Sequence, residues 1–200
     1  MSDRRSSPSD VDRRPILPVK GSAQVCCGVA LLLTGPPGSG KTTVVRTAAQ
    51  QLAGFRLVGF YTEEIRAGRE RRGFRLVTFG GDEAIIAHVN LPPPRVSKYG
   101  VDVAAIDRFA ATLRDSGSRS AVYLVDEIGK MECFSAAFVE ATRQLLDTGR
   151  PLVATVAQRG GGFIDEVKRR RDVEVWDVTR ATRDKLPGHV VAWIQQRLRQ

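Results

Sequence analysis

The chain has 200 residues, of which 42% are hydrophobic, and its formal net charge is +9. This length suits one globular domain with a sizeable core, and the positive charge favours anionic partners such as nucleotides. Three cysteines cannot form a disulfide framework and indicate a reducing, cytoplasmic compartment, and with only two histidines beside them no Cys/His metal cluster can be built.

The N-terminal segment differs in composition from the rest of the chain. Residues 1–24 are rich in Ser, Pro, Asp and Arg, which predicts a disordered tail ahead of a single domain over 25–200. The three aspartates of this segment argue against an organelle-targeting peptide. The longest apolar run, Val25 to Leu33, is too short to cross a bilayer, so we expect no membrane partner.

A glycine-rich segment follows the first predicted strand. Apolar residues 29–34 predict a buried strand, residues 35–43 read GPPGSGKTT, and Thr43 to Ala53 has the apolar spacing of a helix that stops at Gly54. This is G-x-x-x-x-G-K-[ST] between a strand and a helix, where backbone N–H groups turn toward phosphate oxygens at a helix N-terminus. The predicted nucleotide-binding residues are Gly35, Pro36, Pro37, Gly38, Ser39, Gly40, Lys41, Thr42 and Thr43.

Three side chains of this loop have separate predicted roles. Lys41 reaches the β- and γ-phosphates and is a catalytic residue, and the Thr42 hydroxyl is a Mg²⁺ ligand. Thr43 is placed to contact the α-phosphate. Mg²⁺ is therefore the predicted cofactor, and nucleoside triphosphates are the predicted partners.

The next part of the chain predicts strands. We expect strands over Phe55–Tyr61 and Phe74–Phe79, joined by a charged connection over Glu63–Gly73. The turn at residues 80–82, Gly-Gly-Asp, predicts that Glu83–Val89 pairs back as a hairpin. Three prolines at 92–94 then force an extended loop.

Helices and strands alternate in the remainder. Asp102 is the expected N-cap of a helix, whose apolar face is Val103, Ile106, Phe109 or Ala110, and Leu113. The elements predicted after it are a strand Ala121–Val125, a helix Ser135–Leu146, a strand Leu152–Val156, a short helix through Ile164 and Val167, a strand Val173–Val178 and a helix from Pro187. This alternation predicts an α/β fold with a mostly parallel sheet, helices on both faces and an added hairpin.

Two carboxylates follow the predicted strand Ala121–Val125. Ligands of open parallel sheets bind at the carboxyl ends of the strands, where Lys41 also lies. Asp126 is therefore a predicted Mg²⁺ ligand, through a water molecule and alongside Thr42. Glu127 is the predicted catalytic residue that orients and deprotonates the attacking water.

The segment 126–135, DEIGKMECFS, resembles the THEP1-type nucleoside-triphosphatases, whose motif here runs DEIGKMELFS. The phosphate loop, GFYTEEIR at 59–66, RRGF at 71–74, KYGVDV at 98–103, and VT at 178–179 with RD at 183–184 are similar to the same family, so the resemblance covers 29–199. It implies a three-layer P-loop NTPase fold with a RecA-like sheet, and slow Mg²⁺-dependent hydrolysis of ATP, GTP, CTP and other nucleoside triphosphates to diphosphate and phosphate. It also assigns a catalytic role to Arg71, and nucleotide binding to Val125, Asp126, Glu127, Ile128, Gly129 and Lys130.

Three places depart from the family's pattern. Cys133 stands where leucine is usual, and Ser97 stands where a glycine normally precedes Lys98. In the charged connection, Arg69 and Glu70 replace a glycine and an arginine, while Arg71 keeps the first position of Arg-x-Gly-Phe. We expect Ser97 to alter the conformation of its loop and Arg71 to be the arginine of the connection that serves catalysis.

Recognition of the base is expected to be loose. The sequence DEIG at 126–129 fits the D-x-x-G of switch-type GTPases, but their guanine-reading N-K-x-D is absent, because the only asparagine precedes a leucine. The last strand ends near the expected nucleobase, beside Thr179, Arg180 and Arg183, and Arg183 is assigned to the nucleotide site. An arginine stacked on a base discriminates poorly, so we expect several triphosphates to react within about tenfold in kcat/KM, or ~1.4 kcal/mol. Alternatively, Arg180 and Arg183 pair with Asp177 and Asp184 at the surface.

Two other functions are compatible with the sequence. A nucleotide or small-molecule kinase would use the same loop, with the arginines of segment 66–75 as a lid, but no acceptor-binding motif is present and Glu127 favours water as the acceptor. A nucleotide-gated module that binds nucleic acid or protein is the further alternative, although aromatic residues make up only 6% of the chain. We expect a monomer whose main partners are nucleotides rather than nucleic acid.

Overall fold

The computed structural model describes residues 30–114 and 121–199. The strands are β1 (Ala30–Thr34), β2 (Arg56–Ala67), β3 (Glu70–Thr78), β4 (Glu83–His88), β5 (Arg95–Val96), β6 (Tyr99–Val101), β7 (Ala121–Ile128), β8 (Leu152–Val156) and β9 (Val173–Asp177). The helices are α1 (Lys41–Gln51), α2 (Val103–Leu113), α3 (Ala136–Asp147), α4 (Phe163–Arg169) and α5 (Leu186–Leu198), with a 3-10 turn at Glu132–Phe134. The predicted tail over 1–24, together with Cys26 and Cys27, lies outside the described residues.

All nine strands belong to one sheet in the order β5-β6-β4-β3-β2-β7-β8-β1-β9. The five strands from β2 to β9 in this order are parallel and form what we call the parallel half. Numbered along the chain among themselves, they run 5-1-4-3-2, which confirms the RecA-like sheet. The four strands β3 to β6 are antiparallel and form what we call the antiparallel extension.

Helices cover both faces of the parallel half, because its strands are apolar on both sides. Leu31 and Leu33 of β1 face the side covered by α1 and α5, where Val45 and Ile194 are fully buried. Leu32 faces the opposite side, which is covered by α2, α3 and α4. This three-layer arrangement confirms the predicted α/β fold and brings the carboxyl ends of β1, β7 and β8 together at one edge.

Strand β2 connects the two parts of the sheet. Its first residues, Arg56 to Phe60, pair in parallel with β7, whereas Phe60 to Ala67 pair with β3 in an antiparallel hairpin. The strand therefore continues beyond the point where its pairing with β7 ends, and it carries the hairpin past the carboxyl edge of the parallel half.

The prediction of a charged connection over Glu63–Gly73 was wrong, because these residues form the hairpin of β2 and β3. The segment lacks an apolar run, but opposite charges meet across the two strands: Arg75 binds Glu63 at 2.7 Å and Arg71 binds Glu64 at 2.7 Å. The short strands β5 and β6 were also missed, so the predicted hairpin is part of a larger extension. By contrast, the Asp102 cap is confirmed: its carboxylate accepts a hydrogen bond from the Ala105 N–H at 2.8 Å.

No helix within the described residues combines the length and the apolar character needed to cross a membrane.

Candidate functional site

The glycine-rich loop joins the end of β1 to the start of α1. Gly40, immediately before the helix, has φ = 104°, and Gly38 has φ = 76°. These left-handed conformations are open to glycine and strained for other residues, which explains both glycines in physical terms. Helix α1 begins at Lys41, two residues earlier than predicted, so the unpaired N–H groups of its first turn lie at the loop. The Ser39 hydroxyl in this loop is buried without a hydrogen-bond partner.

Lys41 projects from the first turn of α1 toward the end of β7. Its Nζ donates to the Gly35 carbonyl at 3.2 Å and lies 3.7 Å from Glu127 Oε2. The side chain is 11% exposed. The ammonium group therefore stands between the phosphate loop and the predicted base.

Asp126 is buried directly beneath the loop. Its carboxylate is 1% exposed and accepts hydrogen bonds from Thr42 at 2.6 Å, Thr155 at 2.5 Å and Thr62 at 3.4 Å. These threonines come from α1, β8 and β2, so four elements meet at one carboxylate. Within the described residues no lysine or arginine is paired with it, and its side-chain partners are these hydroxyl groups.

Glu127 occupies the next position of β7 and faces the opening rather than the interior. Burial raises the pKa of its carboxyl above the ordinary value, the Lys41 ammonium group lowers it, and the neighbouring Asp126 raises it again. A carboxyl with a raised pKa is a stronger proton acceptor than an ordinary glutamate. Strand β7 continues through Ile128, so both carboxylates lie in the strand itself rather than after it.

The antiparallel extension supplies the opposite wall of the site. The Arg71 guanidinium pairs with Glu64 at 2.7 Å and lies 5.4 Å from the centre of the Phe74 ring. Arg71 Nε is buried without a hydrogen-bond partner. An arginine with an unused donor at the wall of a cavity is suited to bind a phosphate oxygen.

These groups surround one open cavity of about 590 Å³. Of the predicted site residues, it is lined by Gly35, Pro37, Gly38, Lys41, Thr42, Arg71, Glu127, Gly129 and Lys130. Sequence reasoning did not place nine further lining residues in the site: Thr62, Glu64, Phe74, Val96, Met131, Glu132, Ala157, Gln158 and Arg159.

The remaining predicted residues lie behind or beside the cavity. Val125 and Ile128 are fully buried core residues on either side of the carboxylate pair. Thr43 is exposed on α1, and Pro36 and Ser39 lie in the phosphate loop but do not line the cavity. Arg183 lies outside the cavity and packs over the loop, since a β-carbon built on Gly40 would be 3.2 Å from its Cδ. It also lies 3.5 Å from Asp184, as the surface alternative expected.

The oxygen groups at the loop fit a magnesium ion. Thr42 Oγ1 and Asp126 Oδ2 are 2.6 Å apart, and hydroxyl and carboxylate oxygens are the ligands that Mg²⁺ prefers. No group of three or more His, Cys, Asp or Glu residues suited to a metal occurs within residues 30–114 and 121–199. This agrees with the usual mode of Mg²⁺ binding, which needs only one or two protein ligands and takes the others from water and phosphate.

Comparison with known proteins gives one consistent result. A family model described as NTPase matches residues 30–191. The human cancer-related nucleoside-triphosphatase is 39% identical over 82% of this chain and 96% of its own length. The nucleoside-triphosphatase THEP1 of Thermotoga maritima is 35% identical over 81% of this chain and 93% of its own length. The crystal structure of THEP1 from Aquifex aeolicus superposes with a TM-score of 0.75 at 31% identity, covering 83% of this chain and 99% of that one.

Proposed function

This chain belongs to the family of THEP1-type nucleoside-triphosphatases and hydrolyses nucleoside triphosphates, and we propose that it does so with Mg²⁺ in the cavity described above, with broad tolerance of the base. The observation that carries the proposal is the approach of Lys41 Nζ to Glu127 Oε2, 3.7 Å apart, beside the phosphate loop. A cation for the phosphates and a base for water are thus held at one point.

The loop and α1 bind the triphosphate in this proposal. Backbone N–H groups of residues 35–43 donate to phosphate oxygens at the positive end of the helix. Lys41 exchanges its contact with Glu127 for the β- and γ-phosphates, and it stabilises charge that moves onto the leaving oxygen. The buried, unpartnered Ser39 hydroxyl gains an acceptor when a phosphate fills the loop.

Thr42 and Asp126 would hold the Mg²⁺ ion, the first directly and the second through a water molecule. The ion supplies positive charge that neutralises the phosphate oxygens in phosphoryl transfer. Thr155 and Thr62 fix the Asp126 carboxylate from the other side, so that the carboxylate keeps its position while the site fills and empties.

Glu127 acts as the general base. Its carboxylate lies at the cavity wall, where a water molecule in line with the terminal phosphate has access to it. Once Lys41 turns to the phosphates, Glu127 loses its nearest cation, and its affinity for a proton increases. Substrate binding therefore prepares the base for the step that follows.

The antiparallel extension contributes a positive charge to the opposite wall of the cavity. Arg71 lines the same cavity as Glu127 and retains an unpaired Nε. In the proposed reaction it binds an oxygen of the terminal phosphate and stabilises the negative charge of the transition state. Glu64 holds the guanidinium in place when no phosphate is present.

The base of the nucleotide lies outside the cavity, beside Arg183. This side chain packs over Gly40 and is about half exposed, so its flat guanidinium is free to stack on any base. The proposal therefore predicts weak selection among bases.

The test is phosphate release from ATP, GTP, CTP and UTP with Mg²⁺ and no acceptor molecule. We expect release from all four, with kcat/KM values within about tenfold of one another, or ~1.4 kcal/mol. Arg183→Ala should raise KM for each nucleotide, whereas Arg171→Ala, an exposed control, should not. A preference above a hundred-fold for one base contradicts loose recognition, and phosphate release that depends on an added acceptor indicates a kinase.

We also propose that the protein is cytoplasmic and monomeric. The odd number of cysteines supports a reducing compartment. All of the proposed catalytic groups come from a single chain, so the reaction requires no partner subunit.

A further inference from the structure

Glu132 is a buried carboxyl that the reaction described above leaves unused. It begins the 3-10 turn after β7 and is 5% exposed, yet it lines the phosphate cavity. Its own backbone N–H and that of Gly129 act to lower the pKa of its carboxyl, but less than burial raises it. No lysine or arginine of the described residues is paired with it. A carboxyl in such a place is much more stable neutral than charged.

Glu132 and Glu127 approach each other at Gly129. A β-carbon built on this glycine would lie 2.8 Å from Glu132 Oε2 and 3.0 Å from Glu127 Oε1, so these two oxygens are no more than about 6 Å apart. Any other residue at this position would place a side chain between them. Two carboxyls this close in a partly buried site cannot both ionise easily.

The groups around Glu132 favour its neutral form. Burial raises its pKa to about 8, and the negative charges of Glu127 and Asp126 on β7 add to the increase. Cys133, its neighbour in the turn, has a thiol whose pKa burial raises to about 12, so it stays protonated over the same range. Lys130 lies at the cavity wall without pairing to Glu132.

The helices packed against the turn bring no compensating cation. On α2, Asp107 hydrogen-bonds to the Ser135 hydroxyl rather than to Glu132. On α3, Arg143 pairs with Glu140 and with Glu166 of α4, all at the surface. The charges that act on the pKa of Glu132 are those of the Glu127 and Asp126 carboxylates, whereas the cations Lys41 and Lys168 act on the pKa of Glu127.

We propose that Glu132 is a positioning residue for Glu127, and that it stays neutral behind Glu127 during turnover. This inference rests on the proposed role of Glu127 as the base. With Glu132 neutral, Glu127 is the only anion of the pair facing the terminal phosphate. A second negative charge behind it would repel the anionic substrate and push the Glu127 carboxylate away from its place beside the water.

The pH dependence of kcat/KM tests this inference. Glu132 loses its proton as the pH rises through about 8, so wild-type kcat/KM should fall by up to about tenfold per pH unit above that point. Glu132→Gln keeps the size of the side chain and is neutral at every pH. It should therefore retain near wild-type activity at pH 7 and lose this alkaline decrease up to pH ~9.5.

Two further variants separate the possible causes. Glu140→Gln, on the exposed surface of α3, should keep the wild-type profile. Glu127→Gln should be inactive at every pH if Glu127 is the base, and activity in that variant would overturn the proposed function itself. If Glu127→Gln is inactive while Glu132→Gln has the same alkaline decrease as the wild type, only the inference about Glu132 is wrong.

A direct titration keeps the inference testable even if Glu132→Gln folds poorly. In wild-type protein carrying carbon-13 at the glutamate side-chain carboxyls, NMR should show one glutamate that titrates near pH 8 without nucleotide or metal. Thermal unfolding provides a second measurement. Because the folded protein holds the Glu132 proton more tightly than the unfolded chain does, the wild type should lose stability relative to Glu132→Gln as the pH rises from about 4.5 to about 8. A spectrum in which every glutamate titrates below pH 6 contradicts the proposal.

Discussion

Asp126 in the parallel half is 1% exposed and fixed by three hydroxyl groups, whereas the carboxylates of the antiparallel extension lie in solvent beside arginine or lysine. Glu70 and Lys98, for example, are 55% and 49% exposed in their 3.0 Å ion pair. Exposed pairs contribute only about 0–1 kcal/mol each, while a buried carboxylate that loses its partners is costly. The parallel half therefore holds the proposed catalytic centre among buried partners, and the extension forms a more exposed wall.

This difference predicts how substitutions in the two regions should behave. Changes at Lys41 or Glu127, whose side chains reach the cavity, should affect catalysis strongly and the fold weakly. Changes at the buried Asp126 should affect both, since three other elements are bonded to its carboxylate. Changes in the extension should act through the shape and charge of the cavity wall. The following predictions run from the largest expected effect to the smallest.

Lys41→Ala should have the largest effect. It removes the one charge of the phosphate loop, so turnover should fall by at least about 10²–10³-fold and nucleotide affinity should also decrease. Steady-state phosphate release and equilibrium nucleotide binding measure the two effects. The exposed Lys185→Ala is the control, and hydrolysis at the wild-type rate by Lys41→Ala would remove the loop from the mechanism.

Asp126→Asn should change the metal requirement. Replacing the carboxylate by an amide removes the negative charge beneath the ion, and the Mg²⁺ concentration for half-maximal activity should rise by about 10–100-fold. Asp102→Asn serves as a matched control, because Asp102 caps α2 and should leave the Mg²⁺ dependence unchanged. Equal Mg²⁺ dependence in wild type and Asp126→Asn would contradict the metal assignment.

Arg71→Ala tests whether the wall takes part in the reaction. We expect kcat to fall by about tenfold, or ~1.4 kcal/mol, because a donor to the terminal phosphate is lost. Arg72 is the natural control, since successive residues of a strand point to opposite faces and Arg72 pairs with the exposed Glu70. If Arg71→Ala and Arg72→Ala have the same small effect, the extension only shapes the cavity.

The same two regions differ in how well the sequence predicts them. The central strands β1 and β8 of the parallel half are fully buried and almost wholly apolar. Leu152–Val156 was predicted with its observed bounds because Thr155 is the one polar residue inside it. The phosphate loop and the carboxylate pair were placed at one edge for a related reason, since the ends of parallel strands coincide.

The antiparallel extension could not be predicted in the same way. The hairpin of β2 and β3 is held by cross-strand pairs such as Arg71 with Glu64, and a charged segment of this kind lacks the apolar alternation that indicates a strand. Thr62, Glu64 and Phe74 were therefore missed as cavity residues. Glu132 was missed for another reason: an acidic residue in a turn is usually exposed, and only the packed structure shows that it is buried.

Ser97→Gly should have the smallest effect. Ser97 has φ = 55°, a conformation that favours glycine, which explains why the family's pattern has glycine at this position. Substitution by glycine should raise the free energy of unfolding by about 0.5–1 kcal/mol, because it relieves left-handed strain. Ser97→Ala should give no such gain, and chemical denaturation of the two variants distinguishes backbone strain from loss of the hydroxyl.

The most direct test of the central claim is a comparison of nucleotide binding and single-turnover hydrolysis in Glu127→Gln. The amide keeps the size of the side chain but cannot accept the proton of water, so nucleotide and Mg²⁺ should still bind while hydrolysis of the bound nucleotide falls by about a hundred-fold or more. Glu166→Gln, at the surface of α4, should be unaffected in both measurements. Hydrolysis within tenfold of wild type by Glu127→Gln, or loss of binding with unchanged hydrolysis of bound nucleotide, would contradict the assignment of Glu127 as the base.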